Sequence, residues 1–138
     1  MTNEVFLDTA YAITLAVESD EYHERAEALA DQLEVEATRL VTTRAVLLEI
    51  GNALSKKRYR QAAVELLDAL EQDPQVQIVA LAEELYKQAL GLFRNRPDKE
   101  WGLVDCVSFV VMQERGLTEA LTTDGHFGQA GFRPFIAR

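Results

Sequence analysis

Short apolar runs alternate with longer amphipathic stretches along this chain. The short runs predict β-strands at residues 4–7, 39–43, 76–81, 119–122 and 132–137. Between them, apolar residues recur at helical spacing and predict helices at residues 10–17, 21–36, 45–57, 61–70, 82–93 and 103–114, with a small turn or helix around 124–130. Alternating strands and helices are typical of a parallel sheet covered on both faces. We therefore expect a three-layer α/β/α sandwich, formed by residues 1–138 as a single domain.

Charge is distributed unevenly along the sequence. The chain has 14 basic and 23 acidic residues, a formal net charge of −9, which argues against long-range attraction to nucleic acid. However, residues 18–36 hold eight acids and one base, whereas residues 44–60 hold five bases and one acid. An acidic and a basic surface can therefore coexist on one small domain.

Several classes of protein are excluded by what the sequence lacks. No run of about 20 apolar residues could span a membrane, and the N-terminus has no basic segment typical of a signal peptide. Cys106 is the one cysteine, which rules out a disulfide framework and a cysteine zinc site. We expect a cytoplasmic protein without a serine-hydrolase elbow or a P-loop.

Four carboxylates occupy unusual positions in apolar segments. Asp8 ends the first strand, Asp124 follows the fourth, and Glu49 and Asp105 lie within apolar helices. Each has a structural explanation: Asp8 could cap a helix, Asp124-Gly125 could form a turn, Asp105 could complement a helix dipole, and Glu49 could pair with Arg44 or a lysine.

Topology suggests that these four acids meet. In an open parallel sheet, ligands bind beyond the carboxyl ends of the strands, where Asp8 and Asp124 lie. Glu49 and Asp105 lie on helices that can reach the same edge. Because four like charges need a counter-ion, oxygen ligands predict a hard divalent cation, Mg²⁺ or Mn²⁺. The histidines are not expected to contribute: His23 should be exposed on the acidic helix, and a surface position is favoured for His126.

The four acids also lie in segments that resemble, in chain order, the acidic motifs of PIN-domain ribonucleases: VFLDT at 5–9, LEIGNAL at 48–54, GLVDCVSF at 102–109 and LTTDGHF at 121–127. The ending DGHFGQAGF, at 124–132, is similar to that of VapC-like toxins. The resemblance covers essentially the whole chain.

This resemblance implies an acidic pocket that binds Mg²⁺ or Mn²⁺ and hydrolyses RNA phosphodiester bonds, leaving 5′-phosphate and 3′-hydroxyl ends. It assigns catalytic and metal-binding roles to Asp8, Glu49, Asp105 and Asp124, with Glu49 acting directly or through water. Supporting positions correspond to Thr9, Asn52 and Thr123. It also implies a toxin with a cognate antitoxin partner, and a homodimer.

RNA contacts are expected from a basic group: Arg44, Lys56, Lys57, Arg58 and Arg60. These cations could bind phosphates, and Tyr59 offers a stacking face. The alternative is an ordinary helix end, where basic residues favour the C-terminal dipole. Arg94, Arg96 and Lys99, near Trp101, form a second and weaker candidate, although a tryptophan is more often a core or interface anchor.

Two other functions remain open. A haloacid-dehalogenase-like phosphohydrolase would use Asp8 as nucleophile, but such enzymes need D-x-D, and position 10 is Ala10. A non-catalytic interaction module of the same fold is the other alternative. An intact set of four acids argues against it.

Overall fold

A computed structural model describes residues 3–135 of the chain. One five-stranded sheet forms the centre, with all neighbouring strands parallel and the order β3–β2–β1–β4–β5. The strands are β1 Glu4–Leu7, β2 Arg39–Thr43, β3 Val76–Val79, β4 Glu119–Leu121 and β5 Arg133–Phe135. The predicted α/β/α sandwich is therefore confirmed.

Seven helices belong to the described part of the chain. They are α1 Thr9–Ala16, α2 His23–Val35, α3 Arg44–Ala53, α4 Lys57–Gln72, α5 Glu83–Asn95, α6 Leu103–Arg115 and the short α7 His126–Gln129. None of them is long and apolar enough to cross a lipid bilayer. Local signals explain several ends: the Thr43 side chain caps α3 by accepting the Val46 N–H at 3.1 Å, and Gly116 ends α6 in the left-handed region at φ 67°.

The core lies on the central strands. Val5, Phe6 and Leu7 of β1 are buried, as expected for the middle strand of a sheet covered on both faces. The α6 helix, which the sequence shows as nearly continuously apolar, buries Phe109 and Met112. Burial of this helix and of β1 fixes the two segments that carry the candidate carboxylates Asp105 and Asp8.

The largest departure from the predicted elements lies between α3 and α4. We expected a helix to continue to residue 57 and the next to begin at 61, but α3 ends at Ala53 and α4 begins at Lys57. The guanidinium of Arg60 donates to the Ser55 carbonyl at 2.6 and 3.1 Å, which stabilises the break. Elsewhere, β3 stops at Val79 rather than 81, and residues 136–137 of the last predicted strand lie outside the described residues.

Strand order locates the most suitable edge for a site. In the sheet, β2 lies beside β1 and β3 lies beside β2, whereas β4 lies on the opposite side of β1. The carboxyl ends of β1 and β4 therefore flank the switch point, where open α/β sheets bind their ligands. Asp8 follows β1 directly, and Asp124 follows β4 by three residues.

Candidate active site

Asp8 is a buried carboxylate at the carboxyl end of β1. Its side chain is the N-cap of α1, and its Oδ2 accepts the Ala10 N–H at 3.4 Å and the Thr122 hydroxyl at 2.7 Å. The pKa of Asp8 is raised to about 7, chiefly by burial and also by the negative charge of Asp105, while the hydrogen bonds from Thr122 and the backbone oppose the rise. Asp8 is therefore a carboxylate that needs a nearby positive charge to ionise readily.

Thr122 connects the ends of β1 and β4. Its hydroxyl donates to Asp8 and accepts the Asp124 N–H at 2.9 Å, and the residue is fully buried. Thr123, the predicted supporting residue, is half-buried and makes no side-chain hydrogen bond with a described residue, and its role stays a prediction. Thr122 is therefore the hydroxyl that joins the two strand ends.

Asp105 lies in the first turn of α6. Its Oδ2 accepts the Gly102 N–H at 3.1 Å and lies 3.1 Å from Nδ1 of His126. Burial and the neighbouring charge of Asp124 raise the pKa of Asp105, while the contacts to His126 and Gly102 oppose that rise.

Asp124 and His126 complete a compact group with Asp105. The Asp124 Oδ1 accepts the backbone N–H of His126 at 2.9 Å and lies 3.4 Å from His126 Nδ1. Ligand atoms of Asp105, Asp124 and His126 all lie within 4.8 Å of one another. The His126 side chain is 31% exposed, and the Asp124 turn brings its ring to the carboxylates, a contact that the residue pattern did not predict.

The donor set of this group fits a divalent cation. Within the described chain, no hydrogen bond reaches Oδ1 of Asp105 or Oδ2 of Asp124, so each carboxylate keeps one oxygen available. The Thr9 hydroxyl, next to Asp8 in the sequence, is buried and has no hydrogen-bond partner among residues 3–135. A buried polar atom without a partner is costly, and a cation or its hydration water would relieve such a cost.

The structural explanations considered for three aspartates are also correct. Asp8 caps α1, Asp105 accepts a backbone N–H at the start of α6, and Asp124 closes a turn. These roles do not compete with cation binding, because Asp105 and Asp124 each use one oxygen for the fold. The fold thus holds both carboxylates in fixed orientations.

Glu49 is positioned differently from the three aspartates. It is half-buried on α3, it is not part of the compact group, and it makes no hydrogen bond or ion pair with another described residue. The proposed pairing with Arg44 is wrong, because Arg44 forms its ion pair with Glu71 at 2.6 Å. Asn52, one turn further along α3, is exposed. Roles for Glu49 and Asn52 stay predictions.

Four of the five basic residues lie at the start of α4 rather than at the end of α3, and Arg44 is the first residue of α3. Lys56, Lys57, Arg58 and Arg60 are exposed, and Arg44 is half-exposed. Cations at a helix N-terminus oppose the dipole, so the explanation by a favourable C-terminal dipole is wrong. The stacking face of Tyr59 is covered on one side, where the Arg58 guanidinium lies 4.7 Å from the ring centroid.

The second basic candidate is partly neutralised. Arg96 binds Asp98 through two hydrogen bonds of 2.9 and 3.0 Å, which lower the pKa of Asp98 to about 2. Trp101 is buried, packs edge-on against Phe109 at 5.0 Å, and donates from its indole N–H to Gln129. Trp101 is therefore a core anchor.

Comparison with known proteins gives a consistent result. The family model of the PIN domain matches residues 5–133. The chain is 30% identical over 129 residues to the 23S rRNA-specific endonuclease VapC20 of Mycobacterium tuberculosis. The aligned region covers 93% of this chain and 95% of that protein.

Solved structures share the fold. The crystal structure of Mycobacterium tuberculosis VapC20, described as a sarcin-ricin loop cleaving toxin, superposes with a TM-score of 0.84 at 27% identity, covering 93% of this chain and 95% of that one. The crystal structure of VapBC2 from Rickettsia felis, bound to a promoter DNA fragment, superposes with a TM-score of 0.68 at 13% identity. The match covers 96% of this chain and 97% of that one. The crystal structure of FitAcB from Neisseria gonorrhoeae superposes with a TM-score of 0.65 at 20% identity, and the match covers 95% of this chain and 96% of that one. The last two likenesses concern the fold alone.

Proposed function

This chain belongs to the PIN domain family of nucleases and is VapC-like over almost its whole length, and on that premise we propose that it is a metal-dependent endoribonuclease acting as the toxin of a toxin–antitoxin pair. The observation that carries the proposal is the compact group of Asp105, Asp124 and His126, with Asp8 electrostatically coupled to Asp105. A site with raised carboxylate pKa values and free carboxylate oxygens is suited to a cation.

The proposed cation is Mg²⁺ or Mn²⁺, held by Asp105 and Asp124 with Asp8 beside them. When bound, such an ion polarises a phosphoryl oxygen and lowers the pKa of a coordinated water. The protein's own contribution is orientation: Thr122 holds Asp8, Gly102 holds Asp105, and the turn at His126 holds Asp124. This preorganisation means that little rearrangement is needed when substrate arrives.

Glu49 is the proposed group for handling the proton of the attacking water. Its carboxylate is half-exposed and makes no contact with another charged group in the described chain, so it is free to accept that proton. Asp8 is a weaker candidate for this step, because it is only 3% exposed and its Oδ2 already accepts two hydrogen bonds. The same burial makes Asp8 unsuitable as the accessible nucleophile that a phosphohydrolase would need.

RNA is the proposed substrate, bound through the basic start of α4. Four exposed cations within five residues oppose the helix dipole there, so their position is better explained by an anionic ligand than by helix stability. The similarity to a 23S rRNA-specific endonuclease makes 23S rRNA the first substrate to test. Action on RNA would place the protein in the cytoplasm.

An antitoxin partner is proposed for the groove between α1, α2 and α4. This apolar cavity of about 420 Å³ includes Leu15, Leu33 and Leu66, and the exposed acids Glu34 and Asp73 also line it. An apolar segment with basic residues would match both features. Such a partner could also place an arginine among the active-site carboxylates and so compete with the cation.

The homodimer is a further proposal, and α5 offers a surface for it. Tyr86 and Phe93 lie two turns apart on this helix and are 42% and 47% exposed. Sedimentation or light scattering of the purified protein would test this arrangement.

Cleavage of purified RNA tests the main proposal. We expect the protein to cut 23S rRNA or total RNA with Mn²⁺ or Mg²⁺, to be inactive with EDTA, and to leave 5′-phosphate ends. Asp105→Asn should lower the rate by about 100-fold or more without unfolding the protein, because it removes charge and keeps shape. Asp68→Asn, an exposed change on α4, is the matched control. Cleavage in EDTA, or full activity of Asp105→Asn, would contradict the proposal.

A further inference from the structure

We propose that His126 is a direct nitrogen ligand of the active-site cation, and that it makes the site prefer Mn²⁺ over Mg²⁺. This inference rests on the proposed function but concerns a residue outside the four acids. Its basis is the juxtaposition of the His126 imidazole with two carboxylates of different elements.

The distances match those between ligands of one ion. His126 Nδ1 lies 3.1 Å from Asp105 Oδ2 and 3.4 Å from Asp124 Oδ1. Neighbouring ligands bonded at about 2.1 Å in an octahedral shell lie about 3 Å apart. The His126 nitrogen therefore lies at this spacing from one oxygen of each aspartate, while the other oxygens, Oδ1 of Asp105 and Oδ2 of Asp124, accept no hydrogen bond from a described residue and stay available to the ion.

The ring is held in this position by the backbone around it. The His126 N–H donates to Asp124 at 2.9 Å, which closes the turn that carries the ring. The next residue, Phe127, is fully buried and packs edge-on against Phe109 at 5.0 Å. The imidazole itself remains 31% exposed, so it faces the open side of the site. A ligand anchored in this way needs little ordering when the ion binds.

A nitrogen ligand from His126 would determine which of the two metal ions the site prefers. Mg²⁺ favours oxygen ligands and retains water, whereas imidazole is a better ligand for transition-metal ions. Replacing one oxygen position by a nitrogen should therefore stabilise Mn²⁺ more than Mg²⁺. If His126 served only as a positive counter-charge for the two aspartates, it would make no bond to the ion and would not discriminate between the two metals.

Substitution by asparagine separates these roles. His126→Asn retains a polar side chain near the position of Nδ1 but replaces the nitrogen ligand with an amide oxygen. The control is His23→Asn, which removes the other histidine, whose ring contacts the Thr14 carbonyl and Glu27 instead. His126→Ala is a second variant that leaves the ligand position to water.

Binding of Mn²⁺ and of Mg²⁺ should be measured by calorimetry on the whole protein without RNA. We expect His126→Asn to weaken Mn²⁺ binding by about 10-fold or more and to change Mg²⁺ binding by less than about 2-fold. His126→Ala should lose the same preference, and His23→Asn should behave like wild type. Electron spin echo spectroscopy of bound Mn²⁺ should detect ¹⁴N coupling in wild type and in His23→Asn but not in either His126 variant.

An unchanged ratio of Mn²⁺ to Mg²⁺ affinity, or ¹⁴N coupling that persists without His126, would overturn this inference. A wild-type protein that binds both ions without ¹⁴N coupling would overturn it as well, while leaving the metal-dependent nuclease intact. A wild-type protein that binds neither ion would contradict the proposed function itself. The two failures are therefore distinguishable.

Discussion

The hydroxyl of Thr122 donates to Asp8 across 2.7 Å and joins two strand ends that are 114 residues apart in the sequence. The same hydroxyl accepts the backbone N–H of Asp124 at 2.9 Å. One buried oxygen thus orients the carboxylate that follows β1 and the turn that follows β4. Its hydrogen bond lowers the pKa of Asp8 against the larger effect of burial, and so favours the ionised form that a cation needs.

Thr122→Val should weaken cation binding by about 10-fold to 100-fold, because a hydrogen bond to a charged group contributes about 1.5–3 kcal/mol. Valine has nearly the same shape but can neither donate to Asp8 nor accept from Asp124. Calorimetric titration with Mn²⁺ at pH 7 would measure the loss, and RNA cleavage should fall with it.

Thr122→Ser, which keeps the hydroxyl, should restore most of the affinity. Thr123→Val is the matched control, since Thr123 makes no side-chain hydrogen bond with a described residue. Equal losses in the valine variants at 122 and 123 would show that the bridge to Asp8 is not responsible.

Asp8→Asn should stabilise the metal-free protein at pH 8 and have little effect at pH 4. The pKa of Asp8 is raised to about 7 in the folded protein, against about 3.9 in an unfolded chain, so the folded state binds the extra proton between these values. Stability from this group is therefore present below pH 4 and is lost as the pH rises through 7. Asparagine does not ionise, and the gain at pH 8 should be on the order of 2–4 kcal/mol.

Urea unfolding in EDTA at pH 4, 6 and 8 would measure this difference. The gain should disappear when saturating Mn²⁺ is added, because the ion stabilises wild type and not the variant. Asp68→Asn serves again as control and should show no such pH dependence. A gain that is the same at all three pH values would mean that ionisation of Asp8 is not its cause.

Replacing Lys56, Lys57 and Arg58 by alanine should weaken RNA binding and reduce its dependence on salt. Loss of three phosphate contacts on single-stranded RNA should decrease the slope of log K against log salt by about 2. Binding should be measured in EDTA, so that no RNA is cleaved.

A second triple variant, of the exposed residues Arg25, Arg39 and Lys87, removes the same amount of charge from positions outside both basic candidates. It should leave the slope nearly unchanged. If both variants reduced the slope equally, net charge rather than the basic start of α4 would govern binding.

Tyr11→Phe should destabilise the protein by about 1 kcal/mol without affecting cation binding. Tyr11 is fully buried on α1, and its hydroxyl donates to the Ala26 carbonyl of α2 at 2.7 Å. Phenylalanine fills the same space but leaves α1 and α2 without this hydrogen bond. Urea unfolding would detect the change, and Tyr86→Phe, at a 42% exposed position, should have no effect. A Tyr11→Phe variant as stable as wild type would show that packing alone joins the two helices.

Most of the fold could be predicted from the sequence because burial imposes periodicity. The apolar run at β1 and the helical repeats of α4 and α6 mark elements that must cover a core, whichever elements they pack against. The break between α3 and α4 could not be located in this way. The Arg60 side chain binds the Ser55 carbonyl at this break, and such a contact leaves no mark on the hydrophobic pattern.

The sequence was sufficient to single out Asp8, Asp105 and Asp124 as candidates, since a carboxylate beside an apolar segment is costly unless it is paired, hydrogen-bonded or bound to a cation. It could not establish which groups lie within reach of one ion. Which groups meet depends on how elements far apart in the chain pack together. Packing places His126 beside Asp105 and Thr122 beside Asp8, and it pairs Arg44 with Glu71 rather than with Glu49. Residue types and spacing indicate which chemistry is available to a chain. The ligands of one ion, however, must lie within a few ångströms of one another, and only the packing of the sheet and helices determines separations on that scale.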